Sequence, residues 1–207
     1  MINTITSTSE LNACLDGLWL NIESSCLTCT DPDCMGYIWL TDDDARTLMG
    51  AGQRIVRVNP PQGPRFIDSY TRDATGKVTV QTRSPKCPFL DSAHRCSIHQ
   101  QRPLVCRLYP LALETLSNGA VAWVLHRNCN HVRKISADGK LDELLTQVRR
   151  VINAMSPEFA ADLLTTYFAV NAVTEWISPA DEREVTIVLE VRSAKGSSAD
   201  SNVGRQL

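Results

Sequence analysis

Seven of the eight cysteines in this 207-residue chain form a spaced series: Cys26, Cys29, Cys34, Cys87, Cys96, Cys106 and Cys129. No other feature constrains the fold as much, because thiols drawn from such separate stretches act together only if their segments converge. Gathered cysteines bridge one another, hold a metal or carry out redox chemistry. With 43% hydrophobic residues, the chain can bury a core without covalent staples. Met1 to Ser9 is polar, with no basic start and no apolar core, and no apolar run approaches the ~18 residues of a membrane span. These features point to a cytoplasmic protein with no membrane partner. In a reducing compartment, clustered cysteines bind metal or serve catalysis more often than they form stable disulfides.

The order of elements indicates an α+β fold: a small irregular sheet with hairpins and cysteine-bearing loops, packed with amino- and carboxy-terminal helices. Leu11, Cys14, Leu15, Leu18, Trp19 and Ile22 recur at helical spacing over about 9–23, which puts Cys14 on the apolar stripe as a core thiol. A cysteine-bearing loop, 24–36, leads to the short apolar run 37–40. Thr41 then opens a helix as N-cap, with Asp44 three residues on, and Gly50 or Gly52 ends it. Residues 54–58 alternate as a strand. Residues 66–70 and 77–82 read as a hairpin, and 111–116 with 120–125 as a second one around Asn118-Gly119. Helices follow over about 141–155 and from Pro157, capped by Ser156, to about Trp176. Residues 185–191 suit an edge strand. Residues 1–192 are expected to form one domain and 193–207, rich in Ser, Gly and Asp, a disordered tail.

The overall charge of −2 argues against bulk nucleic-acid binding, yet the basic residues are uneven. Arg83, Lys86, Arg95, Arg102, Arg107, Arg127, Arg133 and Lys134 fall in one stretch with only Asp91 and Glu114 as acids, and all four histidines lie there too. Cationic surroundings lower thiol pKa and suit a thiolate-ligated metal; a solvated basic face is the plain alternative. Cys26-x2-Cys29 is a compact chelate, and Cys34, in a loop bent by Pro32 and Gly36, adds a third thiolate. Soft thiolates suit zinc and iron–sulfur clusters alike, and a 4Fe-4S cubane asks for four. His99, three residues after Cys96, and His126, three before Cys129, are positioned to complete a mixed site. Arg102 and Arg107 flank Cys106 closely enough to bond cluster sulfurs, hold an anionic group, or brace the loop through backbone carbonyls. There is no P-loop, no Gly-x-Gly-x-x-Gly fingerprint and no His-Glu-x-x-His helix.

The run Cys87-Pro-Phe-Leu, Cys96-Ser-Ile-His and Arg102-Pro-Leu-Val-Cys106-Arg-Leu-Tyr-Pro resembles the signature of the YkgJ-like cysteine-cluster family. This zinc- or iron-chelating family includes flagellin lysine N-methylase. Cys26, Cys29, Cys34 and Ile38-Trp-Leu-Thr41-Asp-Asp-Asp44 resemble its amino-terminal half. The family's first group is denser, whereas here Asp31, Pro32 and Asp33 separate Cys29 from Cys34. The resemblance implies a cluster role for the seven cysteines, with ligands from two chain segments, and support from Arg102, Pro103 and Arg107. It favours an iron–sulfur metalloprotein over a zinc one. Two alternatives remain open: a post-translational modifier resembling a protein N-methylase, and a structural zinc module presenting its carboxy-terminal helices to a protein partner. For the methylase, S-adenosylmethionine is implied by resemblance alone, with no sequence motif behind it.

Overall fold

The computed structural model describes residues 3–19, 22–26, 38–51, 55–58, 65–68, 89–93, 95–174 and 183–191. They form a mixed α+β fold in which two small sheets are flanked by helices. Helix α1 (Thr8–Leu18) begins where the Ser7 hydroxyl accepts from the Glu10 N–H, and it buries Leu11 and Leu15. The single helix expected over 9–23 is divided: the backbone leaves helical geometry at Trp19, and α2 (Ile22–Cys26) starts afresh. Gly17, a poor helix residue, sits in the final turn of α1.

The first sheet has the order β1 (Trp39–Leu40), β3 (Arg65–Asp68), β2 (Ile55–Val58), all antiparallel. The expected hairpin arm at 77–82, the linking residues 59–64 and the tail 193–207 lie outside the described residues. Between β1 and β2, α3 (Asp42–Gly50) opens with a full capping box: Thr41 Oγ1 accepts from the Asp44 N–H, and the Asp44 carboxylate accepts from the Thr41 N–H. Leu40, Ala45 and Leu48 form a small apolar cluster here with Ile38, Phe89 and Ile98.

The second sheet carries the larger core. β4 (Leu111–Thr115) and β5 (Val121–His126) pair in one register from Leu111↔Leu125 to Thr115↔Val121. Gly119 takes φ of 80° in the connecting turn, a conformation that glycine adopts without strain. β6 (Val185–Val191) adds antiparallel to β5 at the edge. Period-two alternation sends Leu111, Leu113, Val121, Trp123 and Leu125 into the main core, while Ala112, Leu116, Ala122 and Val124 form a cluster on the other face. A bulge opposite Trp123 and Val124 lets β6 serve both: Val185 joins the second cluster, and Val188 joins the main core.

Helices α5 (Asn130–Ala137), α6 (Leu141–Ala154) and α7 (Pro157–Thr174) complete the fold. α6 contributes Leu144, Leu145, Val148, Val151 and Ile152 to the core. At α7, Ser156 Oγ accepts from the Phe159 N–H at 3.2 Å, as its Ser-Pro start predicts. α5 is not evident from the sequence; its signals are Val132 and Ile135 three residues apart and Gly139 just beyond its end, at φ of 71°. No helix among the described residues is long and apolar enough to cross a membrane.

Candidate functional site

The segment from Phe89 to Leu108, which carries Cys96 and Cys106, is shaped by charged side chains bonding to backbone. Asp91 Oδ1 accepts from the N–H groups of Ala93 and Arg95, while Oδ2 receives Arg95 Nε at 2.8 Å. This closes a turn whose ends meet in a bridge between Leu90 and Cys96. A 3-10 turn, His99–Gln101, leads through Pro103 into α4 (Leu104–Leu108). Arg102 Nε donates to the His99 carbonyl at 3.1 Å. Arg107 Nε donates to the Arg102 carbonyl at 3.1 Å, and its Nη2 to the Gln100 carbonyl. Both guanidiniums therefore brace the loop through carbonyls. Arg107 also reaches Asp16 on α1, at 3.0 Å, which ties the loop to the amino-terminal helices.

Asp44 ties the same loop to α3. Its two carboxylate oxygens lie 3.2 Å from the Leu104 N–H, so one side chain caps α3 and satisfies an orphan donor at the start of α4. Burial pushes the Asp44 carboxyl above the ordinary range, opposed by its hydrogen bonds to Thr41 and Leu104. The capping box is legible in the sequence; the second role is not, because its acceptor and donor stand 60 residues apart.

The histidines divide among neighbours. His99 Nδ1 is 3.8 Å from Glu23 on α2, and His99 Nε2 is buried without a hydrogen-bond partner. Burial first, and then the Arg102 charge, hold the His99 imidazole below its usual pKa; Glu23 opposes them. His131 meets the Trp19 ring edge-on at 6.3 Å and is likewise lowered, by burial and then by Lys134. His126 Nε2 is 3.5 Å from Glu114 across the β4–β5 pair, with the Tyr109 ring 5.5 Å away.

The cysteines themselves require a correction. Among the described residues, no group of three or more His, Cys, Asp or Glu side chains is gathered that could hold a metal ion. This overturns the iron–sulfur centre, the 4Fe-4S and zinc alternatives and the cysteine-cluster metalloprotein built on them. The described cysteines fall on separate elements: Cys14 on α1, Cys26 ending α2, Cys96 opposite Leu90, Cys106 within α4 and Cys129 just ahead of α5. Cys129 is buried in the main core, and Cys14 and Cys26 pack at its margin. Turns and hairpin ends separate these residues, as expected, but no three or more of the described ones gather with one another or with His, Asp or Glu side chains to hold a metal ion. Cys29, Cys34 and Cys87 lie outside the described residues. The N-methylase and zinc-module alternatives, both framed around the cluster, lose that premise.

No curated protein and no solved structure matches the chain. A family pattern does match, from residue 25 to residue 130 of the 207. Its name, CxxCxxCC, spells a denser cysteine group than this chain possesses: where the spacing from Cys26 and Cys29 calls for the adjacent pair, Pro32 and Asp33 stand, and Cys34 follows. Since the match takes in over half of the sequence, including both cysteine-bearing segments, the chain belongs to the family described as "putative zinc- or iron-chelating domain".

Proposed function

We propose that this protein is a binding domain that receives an extended segment of another protein along strand β6. The observation that carries this reading is the apolar, one-sided edge of the second sheet. β6 pairs with β5 alone among the described strands. Its Ile187 and Leu189 remain 38% and 40% exposed, two of the four large exposed apolar side chains among the described residues. An edge strand offers unpaired N–H and C=O groups, which an extended peptide satisfies by adding as a further strand.

The register indicates which groups are on offer. Arg127 N–H donates to the Glu184 carbonyl at 2.7 Å, so Glu184 bonds toward β5. By the alternation of an antiparallel ladder, Thr186 bonds inward as well, while Val185 and Ile187 turn their backbone groups outward. The ledge is short, with an apolar face formed by Ile187 beside Val185. It suits an extended stretch with alternating apolar residues, since one face of the added strand would lie beside those two side chains.

The test is site-specific photocrosslinking in the native host, with the reactive residue at position 187 and a control at Gln147 on the exposed face of α6. A polypeptide captured from 187 and not from 147, with its attachment site in an extended apolar stretch, is the expected result. Equal capture from both positions, or none from 187, would discard the reading.

A further inference from the structure

We infer that Arg149 guards the β6 edge and prevents that strand from pairing with β6 of a second copy of this chain. The inference uses the same edge as the proposed function but does not depend on any partner occupying it.

The guard follows from the bulge. Where β6 steps from Ile187↔Val124 to Leu189↔Trp123, Val188 is the extra residue, and it has no partner in the ladder. A bulged residue leaves a backbone group without a ladder bond. Here that group is the Val188 carbonyl, and Arg149 Nε donates to it from α6 at 3.2 Å. Val188 itself is buried in the main core, so the bond closes a polar gap that would otherwise sit beside apolar side chains.

The consequence lies in where the charge ends up. The Arg149 guanidinium is held at the carbonyl of the middle residue of β6, whose chain neighbours Ile187 and Leu189 are both exposed. An edge strand with two exposed apolar side chains is a template for pairing with its own kind, and a cation or a bulge on the edge is how folded proteins suppress it. This strand has both at one residue. An antiparallel second copy laid along it would bury the cation against the same apolar side chains, and desolvating an unpaired charge is strongly unfavourable. Pairing is thereby confined to the short ledge Val185–Ile187, long enough for a peptide segment and too short to supply the area of a stable dimer.

Sedimentation equilibrium on the full chain tests this, with circular dichroism to verify folding. Arg149→Ala is expected to self-associate about tenfold more tightly than the native chain. Ile187→Lys added to that variant should reverse the effect by returning a charge to the edge. Arg149→Gln keeps a donor for the Val188 carbonyl while losing the charge, and should also self-associate more tightly than the native chain, though less than Arg149→Ala. A folded Arg149→Ala with native association behaviour would overturn the inference, as would association that Ile187→Lys leaves intact. If Arg149→Ala fails to fold, Arg149→Gln decides alone: native-like association overturns the guard. Loss of the crosslinks from position 187 would remove the partner reading and leave these results untouched.

Discussion

The strand pair β4–β5 and the segment Phe89–Leu108 just before it are held by different forces. Along β5, five successive residues, Val121 to Leu125, are buried, because alternate side chains feed two apolar clusters on opposite faces of the sheet. From Phe89 to Gln101, no described residue is buried. That stretch keeps its shape through Asp91, Arg102, Arg107 and Asp44, each bonding to backbone groups that ladders and helices leave open. Burial is non-directional and adds up over many contacts, whereas polar bracing depends on a few side chains at set distances. The cysteine-bearing segment of this family member is thus the polar, locally braced part of the molecule, and the second sheet is the part that secures global stability.

Leu125→Ala should give the largest effect. Leu125 is wholly buried in the main core, and its truncation is expected to cost about 2–5 kcal/mol, read as a lower midpoint in urea unfolding. A cost below about 1 kcal/mol would mean that the sheet is not the stabilising region. Arg107→Ala comes next, at about 1–3 kcal/mol, because the Arg102 and Gln100 carbonyls lose their donor. The exposed Asp16 pair adds little to that figure. The loss should be local: hydrogen exchange should quicken at residues 99–107 and leave 121–125 nearly unchanged. Uniform acceleration of both would collapse the distinction between the two regions.

The smallest effect is on pH dependence, and it carries opposite signs. His99 and His131 have folded pKa values below the ordinary 6.5, so the unfolded chain binds their protons more readily. The stability they support is present above pH 6.5 and is lost as the pH falls through their lowered values. Asp44 is raised above 3.8, so its contribution is full below pH 3.8 and declines as the pH rises through its raised value. Thermal melts across this range should show Tm falling on acidification below pH 6.5, with a shallower slope in His131→Gln. In Asp44→Asn, the component that favours low pH should disappear. An unchanged acid slope in His131→Gln would remove that histidine from the account.

Much of the fold is legible because its signals are local. The Thr41 to Asp44 capping box, the Asn118-Gly119 turn, the Ser156-Pro157 start and the apolar run from 185 to 191 each lie within a few residues, and each appears in the structure. α1 is legible as a helix but not in its length, since the apolar spacing continues through Trp19 to Ile22 while the backbone does not. α5 is not legible in sequence because its eight residues bury only Val132, which leaves its helical periodicity weakly marked.

The candidate site divides along the same line. Arg102 and Arg107 stand out in sequence as partners of the cysteine-bearing loop, but their carbonyl acceptors, and the reach of Arg107 to Asp16 across 91 residues, exist only once α1 packs against α4. The sequence by itself determined the family, the α+β class and the places where helices and strands begin, since capping, turn chemistry and side-chain periodicity act over single turns. Tertiary structure decided on which elements the described thiols fall and which distant backbone groups Asp44 and Arg149 satisfy. Those outcomes depend on how whole elements dock, and no spacing of cysteines encodes the direction in which a packed helix or a bulged strand turns them.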